Sequence, residues 1–277
     1  GLESEGLRLG VWNPIEGLGR LDLSMRDHAK LVVADGQRAW ITSANIGEHY
    51  FRDWHDCGVL LEGGAASGLV EELDGSWAAM ERRELPDPTR SAPQQSPEVE
   101  GRLLSRVVSN GFGGWDVRPH VLRMLNAARR RISCHHCYLT DPEVVGLLAE
   151  RAQQGVQVTL LAPDASDIPA VDLLMRRDVE GLVDAGVAYH QLTGMSHRKF
   201  LSVDHAWMLF GSSNLDGQAL DKNLEVCVAI WSPRLGRQAT RRLVVADLRL
   251  ARPLHHSELP AWQQPFALAL EAVRALL

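Results

Sequence analysis

The chain has 277 residues, 45% of them hydrophobic and 23% charged, with a formal net charge of −6 and four cysteines. That length can bury one large core or two moderate ones. The acidic balance leaves no overall positive field to draw the chain to nucleic acid or to an anionic membrane, although a local basic pocket is compatible with it. No run approaches the ~18 apolar residues of a transmembrane helix, and Cys57, Cys134, Cys137 and Cys227 are too few to form a disulfide scaffold, which points to a reducing, cytoplasmic compartment.

Residues 2–12 read as the end of a helix, Leu2 to Glu5, stopped by Gly6 and followed by an alternating strand through Leu7, Leu9 and Val11. The phrase returns as Leu182 to Ala185, Gly186 and Val187 onward. Residues 28–34 and 38–44 form the arms of a predicted hairpin turning at Asp35-Gly36. A polar connection of one or two helical turns follows Asn45, then a strand from Asp56 through Leu61, matched later by one from Glu225 through Ile230. A helix over 69–83 closes the first half (1–83), and residues 84–101, with Pro86, Pro88, Pro93 and Pro97, are the clearest linker.

The second half (102–277) alternates strand and helix in the manner of a parallel sheet covered on both faces. Strands are expected near 102–108, 132–139 and 156–160. A helix with Asp141 as N-cap, Pro142 at its first position and Gly155 beyond its end lies between the last two, and another spans 171–185. A last helix carries Phe266, Leu268, Leu270, Val273 and Leu276 partly on one face. Eighty residues, Arg102 to Gly181, precede the Leu182 phrase, whereas only Gly1 precedes its partner at Leu2. A half-sheet lacking those strands would leave edges unpaired, so the chain reads as a fragment truncated in its first half.

The octapeptide His28-Ala-Lys30-Leu-Val-Val-Ala-Asp35 recurs as His197-Arg-Lys199-Phe-Leu-Ser-Val-Asp204, both H-x-K-x-x-x-x-D. The offset of 169 residues also carries Ser43 onto Ser212, Asn45 onto Asn214 and Asp56 onto Glu225. Lysine is scarce: Lys30, Lys199 and Lys222 are the three in the chain, and two of them sit in the repeated motif. On a strand His28 and Lys30 project to one side, as do His197 and Lys199, so each pair can enter one pocket.

This doubled pattern, with Thr42-Ser-Ala-Asn45 before Asp56 and Gly211-Ser-Ser-Asn214 before Glu225, resembles the phospholipase D superfamily. Arg26-Asp-His28-Ala-Lys30, Ser43-Ala-Asn-Ile-Gly47, Trp54-His-Asp56 and Pro163-Asp-Ala-Ser-Asp167 look most like bacterial cardiolipin synthases. Ala29 and Thr42 depart from the usual arginine and glycine without removing a reacting group. The resemblance implies a duplicated α/β fold, two mixed sheets flanked by helices with the site between the halves. It also implies a phosphatidyltransferase that works through a covalent phosphohistidine. His28 would attack phosphorus and His197 would act as acid and base; Lys30, Lys199, Asn45 and Asn214 would hold the phosphate, supported by Ser43 and Ser212. Asp56 and Glu225 would orient the imidazoles, while Asp35 and Asp204 keep a structural place at the turns. No metal or cofactor is called for. The implied partner is phosphatidylglycerol or a similar phospholipid, met peripherally at the inner face of a bacterial membrane, with no nucleic acid.

Cys134-His-His-Cys137 invites a zinc reading, but residues three apart on a strand face opposite ways and no second pair follows at finger spacing. The strand is expected near the site instead. A phospholipase D that passes the intermediate to water, a nuclease, and a lipid-binding scaffold without turnover stand as alternatives; the acidic balance speaks against the nuclease, and the intact His, Lys and Asn residues against the scaffold.

Overall fold

The computed structural model describes residues 8–10, 12, 25–82, 84–91, 97–100, 103–256 and 259–274. The helix end and strand expected over 2–12 lie outside these, except for 8–10 and 12, which are not in a strand. Leu31–Ala34 (β1) and Arg38–Thr42 (β2) pair antiparallel across Asp35 and Gly36, whose φ values of 56° and 62° are the left-handed pair that matches the twist of a tight hairpin. Glu48–Arg52 (α1) leads to Gly58–Glu62 (β3), which pairs with β2 to complete a three-stranded, wholly antiparallel sheet. Gly64–Arg82 (α2) begins earlier than expected, because its first buried residues, Ala65 and Ala66, are too small to mark the helical period.

Within the proline-rich stretch, Glu98–Glu100 (β4) pairs with Leu103–Gly111 (β5), so the end of the expected linker joins the larger sheet. Residues 92–96 and 101 of that linker lie outside the described residues. Gly114–Trp115 (β6) folds back on β5. Then come Val117–Ala127 (α3), Arg131–His136 (β7), Pro142–Gln153 (α4), Gln157–Pro163 (β8), Pro169–Asp184 (α5) and Ala188–Leu192 (β9). Asp141 accepts from the backbone N–H groups of Glu143 and Val144 to start α4, as its sequence signature requires. The chain continues through Lys199–Val203 (β10), Trp207–Gly211 (β11), Gly217–Asp221 (α6), Glu225–Trp231 (β12), Pro233–Thr240 (α7), a π-helical turn at Arg241–Val245, Ala246–Leu248 (α8), Arg252–Pro253 (β13) and Gln264–Glu271 (α9).

The larger sheet has the order β13-β9-β8-β7-β10-β11-β12-β5-β4, with β6 beside β5. Only β7, β8 and β9 run parallel, because α4 and α5 provide the crossovers that parallel neighbours need. The expected parallel sheet is confined to them; β10, β11 and β12 reverse direction at each step. Alternate side chains of these three strands build two cores. On one face Leu201, Val203, Leu209, Cys227 and Ala229 pack under Val121, Leu125, Leu148 and Val179 of the helices. On the other, Phe200, Met208, Phe210, Val226 and Val228 meet Ala39, Ile41 and Leu61 of the small sheet and Leu69 of α2. That packing lays the two repeated motifs side by side.

The last helix turns differently from its sequence pattern. Ala267 is its buried residue, whereas Phe266 and Leu268 are exposed, because α9 lies against α5 through a small side chain and is tied there by buried Arg274, paired with Asp178. Leu276 lies outside the described residues.

Candidate active site

Each motif histidine precedes its strand and is held through its backbone N–H by the other half. His28 N donates to Leu224 O at 2.9 Å, with Asp27 and Leu224 bridged, and His197 N donates to His55 O at 2.8 Å, with His55 and Ser196 bridged. The two bridges are mates at the 169-residue offset. Leu224 immediately precedes Glu225 and His55 immediately precedes Asp56, so each bridge delivers one half's acid to the other half's histidine. Nδ1 of His28 lies 2.9 Å from Glu225 Oε1 and 3.2 Å from Oε2, and Nδ1 of His197 lies 2.8 Å from Asp56 Oδ1. The pairing is crossed, and the chain's linear order gives no sign of it.

The serines serve these carboxylates. Ser43 Oγ donates to Asp56 Oδ1 at 2.7 Å and accepts from Cys57 N at 3.0 Å. Ser212 Oγ donates to Glu225 Oε2 and accepts from Val226 N at 3.0 Å. Both hydroxyls are fully buried and committed, so they occupy the place behind the imidazoles instead of the phosphate-facing position expected of them. Burial works against the Asp56 carboxylate, but hydrogen bonds from His197 and Ser43 hold it below the ordinary aspartate value.

The lysines differ. Lys30 Nζ donates to His28 O at 2.7 Å. Lys199 Nζ reaches His197 Nε2 at 2.8 Å, His197 O at 3.2 Å and Cys137 Sγ at 3.4 Å. An ammonium carries donors only, so the Nε2 facing it is an acceptor and His197 is the neutral tautomer with its proton on Nδ1, towards Asp56. Burial, then the neighbouring Lys199 charge, pushes the His197 imidazole down to about 4 against the pull of Asp56. Burial lowers Lys30 to about 8, with Lys199 adding to the effect and Glu225 opposing it.

Asn45 Nδ2 donates to Tyr50 OH at 2.6 Å, while Asn214 Oδ1 accepts from the Cys137 thiol at 3.2 Å. Asp35 pairs with exposed Arg38 at its turn. Asp204 accepts the backbone N–H groups of Arg129, Arg130 and Arg131 at 3.1, 2.8 and 2.8 Å, lashing the β10–β11 turn to the start of β7.

The sequence reading passed over an aromatic wall. The rings of Tyr50, Trp54 and Tyr138 lie 5.3, 5.4 and 6.4 Å from that of His197. Tyr50 and Trp54 sit four apart in the connection after Asn45, a spacing that places side chains together on a helix. Tyr138 lies two residues beyond β7 and donates its hydroxyl to Asp167. Strand alternation separates the Cys-His-His-Cys cluster: His135 turns away from Cys134 and has both ring nitrogens engaged, with Leu243 O at 2.8 Å and Ser196 Oγ at 2.6 Å.

Residues 121–244 match the family described as cardiolipin synthase, PLD-like domain. Cardiolipin synthase 2 of Staphylococcus epidermidis is 26% identical over 250 residues, 86% of this chain and 50% of that protein. Cardiolipin synthase of Geobacillus thermodenitrificans is 28% identical over 269 residues, 92% of this chain and 52% of that protein. The chain is thus similar, over most of its length, to cardiolipin synthases. It spans about half the length of the curated relatives it matches. Phosphatidylserine synthase of Haemophilus influenzae shares the fold, with a TM-score of 0.67 at 14% identity over 91% of this chain and 71% of that one. The family match takes in the second motif alone; the first motif joins it in this structure through the crossed pairs.

Proposed function

We propose that the chain is a phosphatidyltransferase of cardiolipin synthase type, moving a phosphatidyl group between phospholipid hydroxyls through a phosphohistidine. The observation that carries this reading is the crossed pair of carboxylate-held histidines with both motif lysines beside them. One phosphodiester needs a nucleophile, a proton for the departing alkoxide and cations around its oxygens, and this constellation supplies all three. The names of the matched relatives favour lipid phosphodiesters as the substrate class.

The tautomers favour an order opposite to the one expected from the motifs. His197 keeps an Nε2 lone pair, so it attacks phosphorus while the P–O bond to the leaving alcohol breaks. His28, more open and backed by buried Glu225, gives that alcohol its proton. The acceptor hydroxyl then returns a proton to His28 as its oxygen displaces His197 Nε2 and the P–N bond breaks. Lys30 and Lys199 hold the phosphoryl oxygens throughout. Such an enzyme meets its substrate peripherally, at the inner face of a bacterial membrane; among the described residues no helix is long and apolar enough to cross one.

The test is product analysis with phosphatidylglycerol vesicles, beside the double variant His28→Ala, His197→Ala. Cardiolipin plus glycerol, lost in the variant, is the expected result. Phosphatidic acid alone would replace the transferase by a hydrolase, and no turnover of any phosphodiester would end the enzymatic reading.

A further inference from the structure

Cys137 follows directly on β7, whose last residue, His136, faces Lys199 across the sheet, and its side chain is fully buried. The thiol meets two side chains already placed in the site. Its sulfur accepts an N–H from Lys199 Nζ at 3.4 Å, and its S–H donates to Asn214 Oδ1 at 3.2 Å. Donating and accepting at once requires the neutral thiol. Burial secures it by pushing the Cys137 pKa up, in spite of the ammonium beside it.

Each contact has a directional consequence. An amide anchored through its oxygen turns its NH2 group the other way, and among the described residues no acceptor takes the Asn214 donors, which can therefore meet an anion. Asn45 is engaged from the opposite end, its nitrogen spent on Tyr50 OH. The Lys199 ammonium has three protons, directed at His197 Nε2, His197 O and Cys137 Sγ. When His197 Nε2 turns its lone pair to phosphorus, the Lys199 proton that faced it is released to a phosphoryl oxygen, while the bonds to Cys137 Sγ and His197 O keep the ammonium in place.

We propose that Cys137 is a positioning residue for phosphoryl transfer: its thiol holds the Asn214 amide and the Lys199 ammonium together, aiming both at the same phosphoryl oxygens. This rests on the reading of the site as a phosphohistidine-forming centre. The thiol itself touches no reacting atom, so its removal acts through two groups that do.

The experiment measures kcat and KM on a lipid phosphodiester, together with inhibition by orthovanadate, for the wild type, Cys137→Ala, Cys137→Val and Cys137→Ser. Losing a net hydrogen bond at each of two donors lowers kcat about tenfold in the alanine variant, with KM within about twofold. Vanadate inhibition weakens by the same factor. Valine, which fills the space without donor or acceptor, behaves like alanine; serine, which keeps both functions, stays within about threefold of wild type. An alanine or valine variant as fast as wild type, or a serine variant as slow as alanine, overturns the positioning role and leaves the transfer chemistry standing. A wild type that neither turns over phosphodiesters nor binds vanadate overturns both.

Discussion

The small sheet β1–β3 and the trio β10–β12 share a motif, a turn and a downstream acid, yet their outer faces have opposite fates. Val32, Trp40 and Leu60 are 61%, 53% and 59% exposed, while Leu201, Leu209 and Ala229, their mates at the repeat offset, are 0%, 5% and 3% exposed. Ile46 and Phe51, at 99% and 71%, likewise oppose Leu215 and Leu220, at 2% and 0%. The strands themselves do not differ in kind. What differs is that α3 packs over the second trio, whereas among the described residues nothing covers the outer face of the first. That asymmetry reaches the chemistry: 25% of the His28 side chain is exposed against 4% for His197. A duplicated motif thereby sets two imidazoles in different surroundings, the difference on which the proposed division into one acid and one nucleophile rests.

The comparison breaks most visibly at the histidines. His197→Ala should lower turnover by about 10⁴ or more on any substrate, because it removes the nitrogen proposed to bond to phosphorus. His28→Ala should cost about 10²–10⁴ on a lipid substrate and far less on a nitrophenyl phosphodiester, whose leaving group needs no proton. Steady-state rates on both substrates decide it; rescue of His197→Ala alone would reverse the assignment, as would peptide mapping that finds the trapped phosphoryl group on His28.

Lys30→Ala and Lys199→Ala should each lower kcat by roughly 10²–10³ with the fold intact. Near-normal turnover in either would remove that lysine from the site. Because Lys30 is lowered to about 8, kcat/KM should fall as pH rises through that value, and a Lys30→Arg variant, charged throughout, should lack this limb.

Stability separates the two outer faces. Leu201→Ala should cost about 2–5 kcal/mol in urea unfolding, the range for a buried leucine. Its mate Val32, open to solvent, should change stability by no more than about 0.5 kcal/mol when cut to alanine. A large loss at Val32 would show that its face is covered in solution.

Between those effects in size lies an acid limb. His197 is held at about 4 in the fold against 6.5 for an ordinary histidine, so the fold favours its neutral form. Its contribution is complete above about pH 6.5 and disappears as pH falls toward 4, at most about 3 kcal/mol for this buried group. Asp56, also lowered, acts in the same direction at the acid end. Unfolding free energies of wild type and His197→Asn across that window should converge as the pH drops.

The chain alone determined the repeated residues, the hairpin turn at Asp35-Gly36 and the Asp141 cap, because each depends on local geometry or on identity at fixed spacing. It also marked His28, Lys30, His197 and Lys199 as the groups that meet. The tertiary structure decided which acid serves which histidine, since Asp27–Leu224 and His55–Ser196 are contacts between halves that no local pattern encodes. It turned Ser43 and Ser212 toward the carboxylates, brought Tyr50, Trp54 and Tyr138 around His197, and set Cys137 between Lys199 and Asn214. Proton affinities belong to the same class. Burial and neighbouring charge fix them, and both are properties of the packed halves.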